Sequence, residues 1–271
     1  MLMQIAISVD DHLDVNKIEP VAAAKRMADY LTQQGAAAYL NAGDTFNDFT
    51  KTRAFYHDLQ AQVRMPVRFL AGNHDLVNHI TYAQAQSPLD VLYLHEQTLT
   101  LPGSDTVIIG NNGWYDYSLA PSDLHKTPQE FTQWKNGHWL DGAIDQPVSD
   151  LERMQRVLET THQALQQAQG RRVIYVTHFV PRRDFMVYAP NHSRWQMATA
   201  MMGSQHLGAL LEAYQVADVV FGHLHKRRAA KTFGRTTYHQ QPMGYGLHRL
   251  NEWDGTDWFA EWVKTLVWLK V

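Results

Sequence analysis

Cysteine is absent from this 271-residue chain. Its absence excludes disulfide frameworks, zinc-thiolate sites and thiol catalysis, and carries little information about compartment. No apolar run approaches the length of a transmembrane helix, and the N-terminus lacks a charged region followed by an apolar one. Charged residues make up only 19% of the chain and the net charge is −3, so no global basicity points to nucleic acid. Gly/Ser linkers, charge blocks, low-complexity tracts and internal repeats are missing as well. With 45% hydrophobic residues the chain can bury a large core, and a single domain over residues 1–271 is expected.

Against these absences stand short β-branched or aromatic runs, each ending in polar residues. The string Gly72-Asn73-His74-Asp75 follows the run from Val67 to Ala71. With either acid in last place, such a string turns up by chance roughly once in several hundred chains this long. Asp10 and His12 follow Ile5, Ala6 and Ile7; Gly43 and Asp44 follow Ala38, Tyr39 and Leu40; His178 follows the run from Val173 to Val176. His223 and His225, within Gly-His-Leu-His, follow Val219, Val220 and Phe221. Asp-x-His or a lone His means little by itself in a chain with 15 His. Recurrence at the ends of successive strands is what matters, because sites in such sheets gather where strand ends open into loops.

The ordered set Asp10-x-His12, Gly43-Asp44, Gly72-Asn73-His74-Asp75, His178 and Gly222-His223-x-His225 resembles the calcineurin-like metallophosphoesterase superfamily. Within it, the pattern is close to that of bacterial class III cyclic-nucleotide phosphodiesterases. The motifs span residues 10–225, so the likeness covers a whole domain. The resemblance implies a four-layer αββα sandwich, two mixed β-sheets flanked by helices. It also implies two metal ions: one on Asp10, His12 and His225, a second on Asn73, His178 and His223, with Asp44 bridging both and His74 beside the site without binding metal.

Chemistry makes sense of these residue types. A carboxylate has two oxygens and can span two cations, which suits Asp44. Neutral imidazoles with a few oxygen ligands favour manganese, iron or zinc over calcium or magnesium. Two such ions acidify a water held between them and clamp the oxygens of an in-line phosphoryl transfer. His74 would then supply a proton to the leaving oxygen or a donor to the phosphate. Asp75 has two equally weighted readings, support for the protonated His74 ring or an N-cap for the following segment. Gly72 is expected to make a tight turn that lets Asn73 and His74 face the site.

Helical signals fall between the strands. Val21, Ala24, Ala28 and Leu31 mark one apolar face with Gly35 as its stop, and Ser149 with Glu152 forms a capping-box pattern before a helix ending at Gly170. Leu207, Leu210, Leu211 and Tyr214 mark another. The runs 236–241 and 258–270 read as strands. Two irregular segments, 111–147 and 182–203, leave strand ends on the motif side and are expected to wall or cover the metals. They carry Trp114, Arg182, Arg183 and Arg194 as candidate substrate contacts, through stacking and bidentate phosphate bonds. Lys226, Arg227 and Arg228 form a short charge run beside the last motif, more often a solvated face than an anion site.

The leading expectation is a cytoplasmic phosphoesterase acting on a small-molecule mono- or diester, cyclic nucleotides among the candidates, without membrane or nucleic-acid partners. The cytoplasmic assignment rests on Asp10, which lies so near the start that a cleaved leader would remove it. A nuclease of the same superfamily would need a basic track, and a non-catalytic scaffold on the same fold would be expected to lose ligands that are all present here. Asp44→Asn is expected to abolish hydrolysis of every phosphoester by the manganese-loaded protein, measured side by side on mono- and diester substrates.

Overall fold

The computed structural model describes residues 3–271. In chain order the elements are β1 (Gln4–Ser8), α1 (Pro20–Gln33), β2 (Ala38–Asn41), α2 (Phe49–Gln62), β3 (Val67–Phe69), α3 (Tyr82–Ala85), β4 (Gln97–Thr100) and β5 (Val107–Gly110). There follow α4 (Pro128–His138), α5 (Asp150–Gln167), β6 (Val173–Val176), α6 (Ser193–Ala198), α7 (Gln205–Ala213) and β7 (Asp218–Phe221). The chain closes with β8 (Arg228–Phe233), β9 (Thr236–Gln240), α8 (Trp258–Thr265) and β10 (Val267–Lys270). Among the described residues no helix is long and apolar enough to cross a membrane.

The strands form two sheets, ordered β10-β1-β2-β3 and β4-β5-β6-β7-β9-β8. Both are mixed: β1, β2 and β3 run parallel, as do β5, β6, β7 and β9, while β10, β4 and β8 are antiparallel additions at the edges. Because side chains alternate along a strand, each central strand must be apolar on both faces. Ile5, Ile7, Ala38, Leu40, Ile108, Ile174, Val176 and Val220 fill the core between the sheets. Their neighbours Ala6, Tyr39, Ile109, Tyr175 and Val219 join the helix-side core. Tyr56 of α2 stacks on Phe69 at 5.0 Å, and Tyr39 meets Trp262 of α8 at 6.0 Å. On the other sheet Tyr175 bonds Thr161 of α5 at 2.7 Å, and Tyr238 bonds Glu212 of α7 at 2.8 Å. Helix, sheet, sheet, helix is therefore the order of layers.

The caps read from sequence are present. Ser149 and Glu152 satisfy each other's backbone amides at the start of α5, and Gly35 follows α1 at φ +68°. Two readings are corrected. Val21 is 66% exposed, and α1 instead buries Ala23, Ala24, Met27, Ala28 and Leu31. The C-terminal run 258–270 divides into α8 and the short strand β10. Asp257 caps that helix by accepting from the Ala260 amide at 2.8 Å, and buried Trp258, Trp262 and Thr265 follow helical spacing. Aromatic richness had masked that spacing.

Truncating the inter-sheet core should be costly and truncating the exposed position should not. Ile174→Ala is expected to lower stability by about 2–5 kcal/mol. Val21→Ala should stay within about 0.5 kcal/mol of the parent, both measured by urea denaturation.

Candidate active site

The C-terminal ends of five parallel strands bring the motif residues together. β1 leads to Asp10 and His12, β2 to Asp44, β3 to Asn73 and His74, β6 to His178, and β7 to His223 and His225. The first sheet thus supplies one half of the cluster and the second sheet the other. The His223 amide joins the halves by donating to the Asp10 carboxylate at 3.1 Å, and within the first half the Asp10 amide donates to the Gly43 carbonyl at 3.0 Å. Asp10, His12, Asp44 and His223 all adopt left-handed φ, between +42° and +66°. Such strain is disfavoured for residues with side chains and persists only where the surroundings enforce it.

Gly72 has a different role from the expected turn, since its φ is not left-handed. A Cβ there would lie 2.1 Å from Asp44 Oδ1 and 2.7 Å from the His178 ring, so the residue exists for close approach.

The side chains fall into overlapping groups: Asp10 with His12 and His225, and Asp44 with His178 and His223, ligand atoms in each lying within 4.8 Å of one another. In the first, the Nε2 atoms of His12 and His225 are 3.1 Å apart, and His225 Nε2 is 3.6 Å from Asp10 Oδ1. In the second, His178 Nε2 stands 3.2 Å from His223 Nδ1 and 3.3 Å from both Asn73 Oδ1 and Asp44 Oδ2. Asp44 joins the groups through one oxygen. Oδ2 lies 3.7 Å from His12 Nε2 as well, while Oδ1 accepts the His74 amide at 2.9 Å. Oδ1 is thereby engaged, and Oδ2 alone faces both groups.

The outward-facing atoms decide what points inward. His178 Nδ1 is 3.1 Å from the Ala42 carbonyl and His223 Nε2 is 3.3 Å from the Met201 carbonyl, and each must donate there. His225 Nδ1 donates to Glu252 at 2.9 Å, and Asn73 Nδ2 donates to Asp141 at 2.8 Å. Each of these far-side bonds turns the opposite nitrogen or oxygen into the cluster. The inward atoms stand 3.1–3.3 Å apart, the edge length of a shell whose ligands sit about 2.1 Å from a shared cation, about 3.0–3.4 Å. Electrostatics ask for the same thing. Burial opposes charge on His178 and His225, yet Asp44 and Asp10 draw His178 up to about 9, and Asp10 with Glu252 draws His225 up to about 10. Buried carboxylates here demand positive charge, and the donor set fits transition-metal ions.

His74 also lies within ligand reach of His12 and Asp44. Its Nδ1 donates to Asn47 Oδ1 at 2.6 Å; the Asn47 amide is oriented by Asp14, which accepts from its Nδ2 at 2.9 Å. Nε2 is left facing the cavity, 3.3 Å from the Tyr245 hydroxyl. Burial pushes the His74 pKa down. Asp75 neither caps a helix nor touches that ring. Its carboxylate accepts from the amides of Asp44, Thr45, Phe46 and Gly72 and from the Thr52 hydroxyl, tying the two strand-end loops together.

A cavity of about 600 Å³ opens above the cluster, walled by Trp139, Leu140, Arg194, Trp195, Met202 and Tyr245 among others. The segments 111–147 and 182–203 both contribute, and Arg194 donates to the His138 carbonyl at 3.3 Å where they meet. The other three candidate substrate contacts are elsewhere. Trp114 is buried, donates to Asp150 at 2.8 Å and carries the Arg153 guanidinium 3.5 Å over its ring. Arg182 pairs with Asp184 and Glu212, and Arg183 bonds the carbonyls of Ser118 and Ala120. Arg227 of the basic run is likewise held, by Glu261 at 2.7 Å. Asn47, Asp141, Tyr245 and Glu252 were missed. Asn47 had a readable signal, a polar residue in the Asp44 loop, whereas the other three come from irregular segments without pattern.

Metal-binding side chains at the open ends of two packed mixed sheets define a metallohydrolase. A family model described as calcineurin-like phosphoesterase matches residues 20–227, and the chain belongs to that family; it is a metal-dependent phosphoric ester hydrolase. Asp10 and His12 precede the matched stretch, and Tyr245 and Glu252 follow it. Among solved structures, phosphopantetheinyl hydrolase from Mycobacterium tuberculosis is similar with TM-score 0.69 and 17% identity, covering 95% of this chain and 94% of that one. A dimetal phosphatase from Danio rerio is similar with TM-score 0.52 and 12% identity, over 89% of this chain and 87% of that one. At such identities the likeness is one of fold. No curated protein matches significantly by sequence.

Asp75→Asn would set an amide NH2 against backbone donors that now share one carboxylate. A loss of at least about 2 kcal/mol in thermal or urea stability is expected, together with loss of metal. A variant of parental stability would show that Asp75 does not hold the loops.

Proposed function

We propose that the protein hydrolyses small-molecule phosphate esters with two manganese, iron or zinc ions. Asp10, His12 and His225 would hold one ion and Asn73, His178 and His223 the other, with Asp44 Oδ2 shared. The observation that carries this reading is the pair of groups of inward-facing nitrogen and oxygen donor atoms, joined by one carboxylate oxygen, at the floor of a cavity. When bound, two such ions supply an acidified water and neutralise charge on the phosphoryl oxygens.

The protein's own groups do the rest. Asn47 holds the His74 ring by accepting from Nδ1, which leaves Nε2 facing the departing oxygen; to pass a proton there Nε2 must first take one up, making an imidazolium that burial disfavours and the substrate's negative charge favours. Burial and the carboxylates of Asp44 and Asp10 keep the Tyr245 phenol protonated, so it donates a hydrogen bond beside His74 rather than accepting a proton. Leu140, Met202 and the two indoles of Trp139 and Trp195 exclude water and suit a ring-bearing leaving group, with Arg194 available to an anionic substituent. Within this reading the aromatic wall favours a diester such as a cyclic nucleotide. Arg194 is the one arginine or lysine lining the cavity among the described residues, which does not suit a nuclease track.

The test is a manganese-loaded panel of nitrophenyl monoesters, bis-nitrophenyl diesters, cyclic nucleotides and single-stranded DNA. Diester and cyclic-nucleotide turnover well above monoester turnover is expected, and the reverse order would remove the cyclic-nucleotide reading. His74→Ala should retain metal and turn over activated nitrophenyl esters, but lose about 10²–10⁴-fold on alkyl leaving groups. Unchanged alkyl-ester rates would exclude His74 as the proton donor.

A further inference from the structure

We infer that Asp141 is a positioning residue: reaching in from the 111–147 segment, it holds the Asn73 amide so that oxygen rather than nitrogen faces His178 and Asp44. This rests on the two-metal reading. A primary amide is nearly symmetric in shape, so sterics scarcely distinguish its two orientations, and hydrogen bonding decides. Asn73 Oδ1 lies 3.3 Å from His178 Nε2, and His178 Nδ1 donates to the Ala42 carbonyl. A ring ready to bind a cation carries no proton on Nε2, and a flipped amide would then donate its NH2 to that nitrogen. The second group would then satisfy itself in a form that cannot take metal. Asp141 Oδ1, 2.8 Å from Asn73 Nδ2, opposes the flip by accepting from the nitrogen on the far side. Among the described residues Asp141 is the side chain that hydrogen-bonds this NH2.

The placement of Asp141 is rigid. It sits in the 3-10 turn Leu140–Ala143, is 2% exposed, and follows α4 directly. A Cβ on Gly142 would come within 2.7 Å of the Asn136 backbone, so the turn packs tightly on the end of that helix. α4 is itself pinned to the start of α5, because Lys135 donates to both oxygens of Asp150 at 2.7 and 2.8 Å. Asp141 Oδ2 is buried, and the Tyr115 hydroxyl acts on the same carboxylate as a hydrogen-bond donor. The two residues before it, Trp139 and Leu140, line the cavity. The wall that meets substrate and the brace on a metal ligand are therefore one short stretch of chain, and displacement of that wall would release Asn73.

Metal content and the electron paramagnetic resonance spectrum of the manganese-loaded, dialysed protein test this. The parent should hold two ions per chain and show an exchange-coupled pair. A parent that binds no second ion overturns the two-metal reading and, with it, the inference. Asp141→Asn, which keeps an acceptor oxygen, should retain both ions. Asp141→Leu should weaken the second ion about 10–100-fold and leave the six-line signal of isolated manganese. Adding Asn73→Asp to Asp141→Leu should restore the pair, because a carboxylate presents oxygen in either orientation. Two ions of parental affinity in Asp141→Leu would overturn the inference. So would failure of the double variant to recover the second ion. Where Asp141→Leu alone does not fold, the double variant decides: a coupled pair supports the positioning role and its absence overturns it.

Discussion

Donor atoms forced to face one another are the constraint on which the rest of the structure depends. His178 Nε2 looks at His223 Nδ1, Asn73 Oδ1 and Asp44 Oδ2, and His12 Nε2 looks at His225 Nε2. Such company asks for positive charge between its members. His178 and His223 are held there by far-side hydrogen bonds to backbone carbonyls, His225 by Glu252 and Asn73 by Asp141, whereas His12 Nδ1 has no such partner. The cluster is thus shaped from outside, and a cation would complete a frame already built.

That frame is expensive in local terms. Left-handed backbone at Asp10, His12, Asp44 and His223 and a fully buried Asp75 are features that a protein selected for stability alone would avoid. Two apolar cores offset them, one between the sheets and one under the helices. Asp75 does the local work, gathering amides from the Asp44 loop and from Gly72 so that the strained turn after β2 is supported by the loop after β3. Strain sits where chemistry is done, and stability comes from the layers behind it.

Sequence made the motif residues legible because they stand at the ends of short apolar strands, and strand ends are easy to see. It made the double-faced sheets legible for the same reason. What it concealed depends on long-range placement. Trp114, Arg182 and Arg183 looked like a substrate wall, yet each is consumed by a packing or ion-pair partner tens of residues away: Asp150, Glu212 and the Ser118 carbonyl. Asp141 and Glu252, loop acids with no pattern around them, hold Asn73 and His225 by hydrogen bonds. The helix α8 was hidden by tryptophans whose β-propensity outweighed their spacing.

Ligands drawn from two sheets have a consequence for assembly. Asp10, His12, Asp44 and Asn73 belong to the first sheet and His178, His223 and His225 to the second, so neither sheet alone contains a complete coordination set. A chain cut between β3 and β4 would strip the first sheet of β10 and of α8, which lie at the C-terminus, and would leave neither piece with a whole site. The side-chain cluster is, in that sense, a seam stitched across the protein's midline: its formation would report that the two layers have met in register, and its loss would be an early sign that they have begun to part.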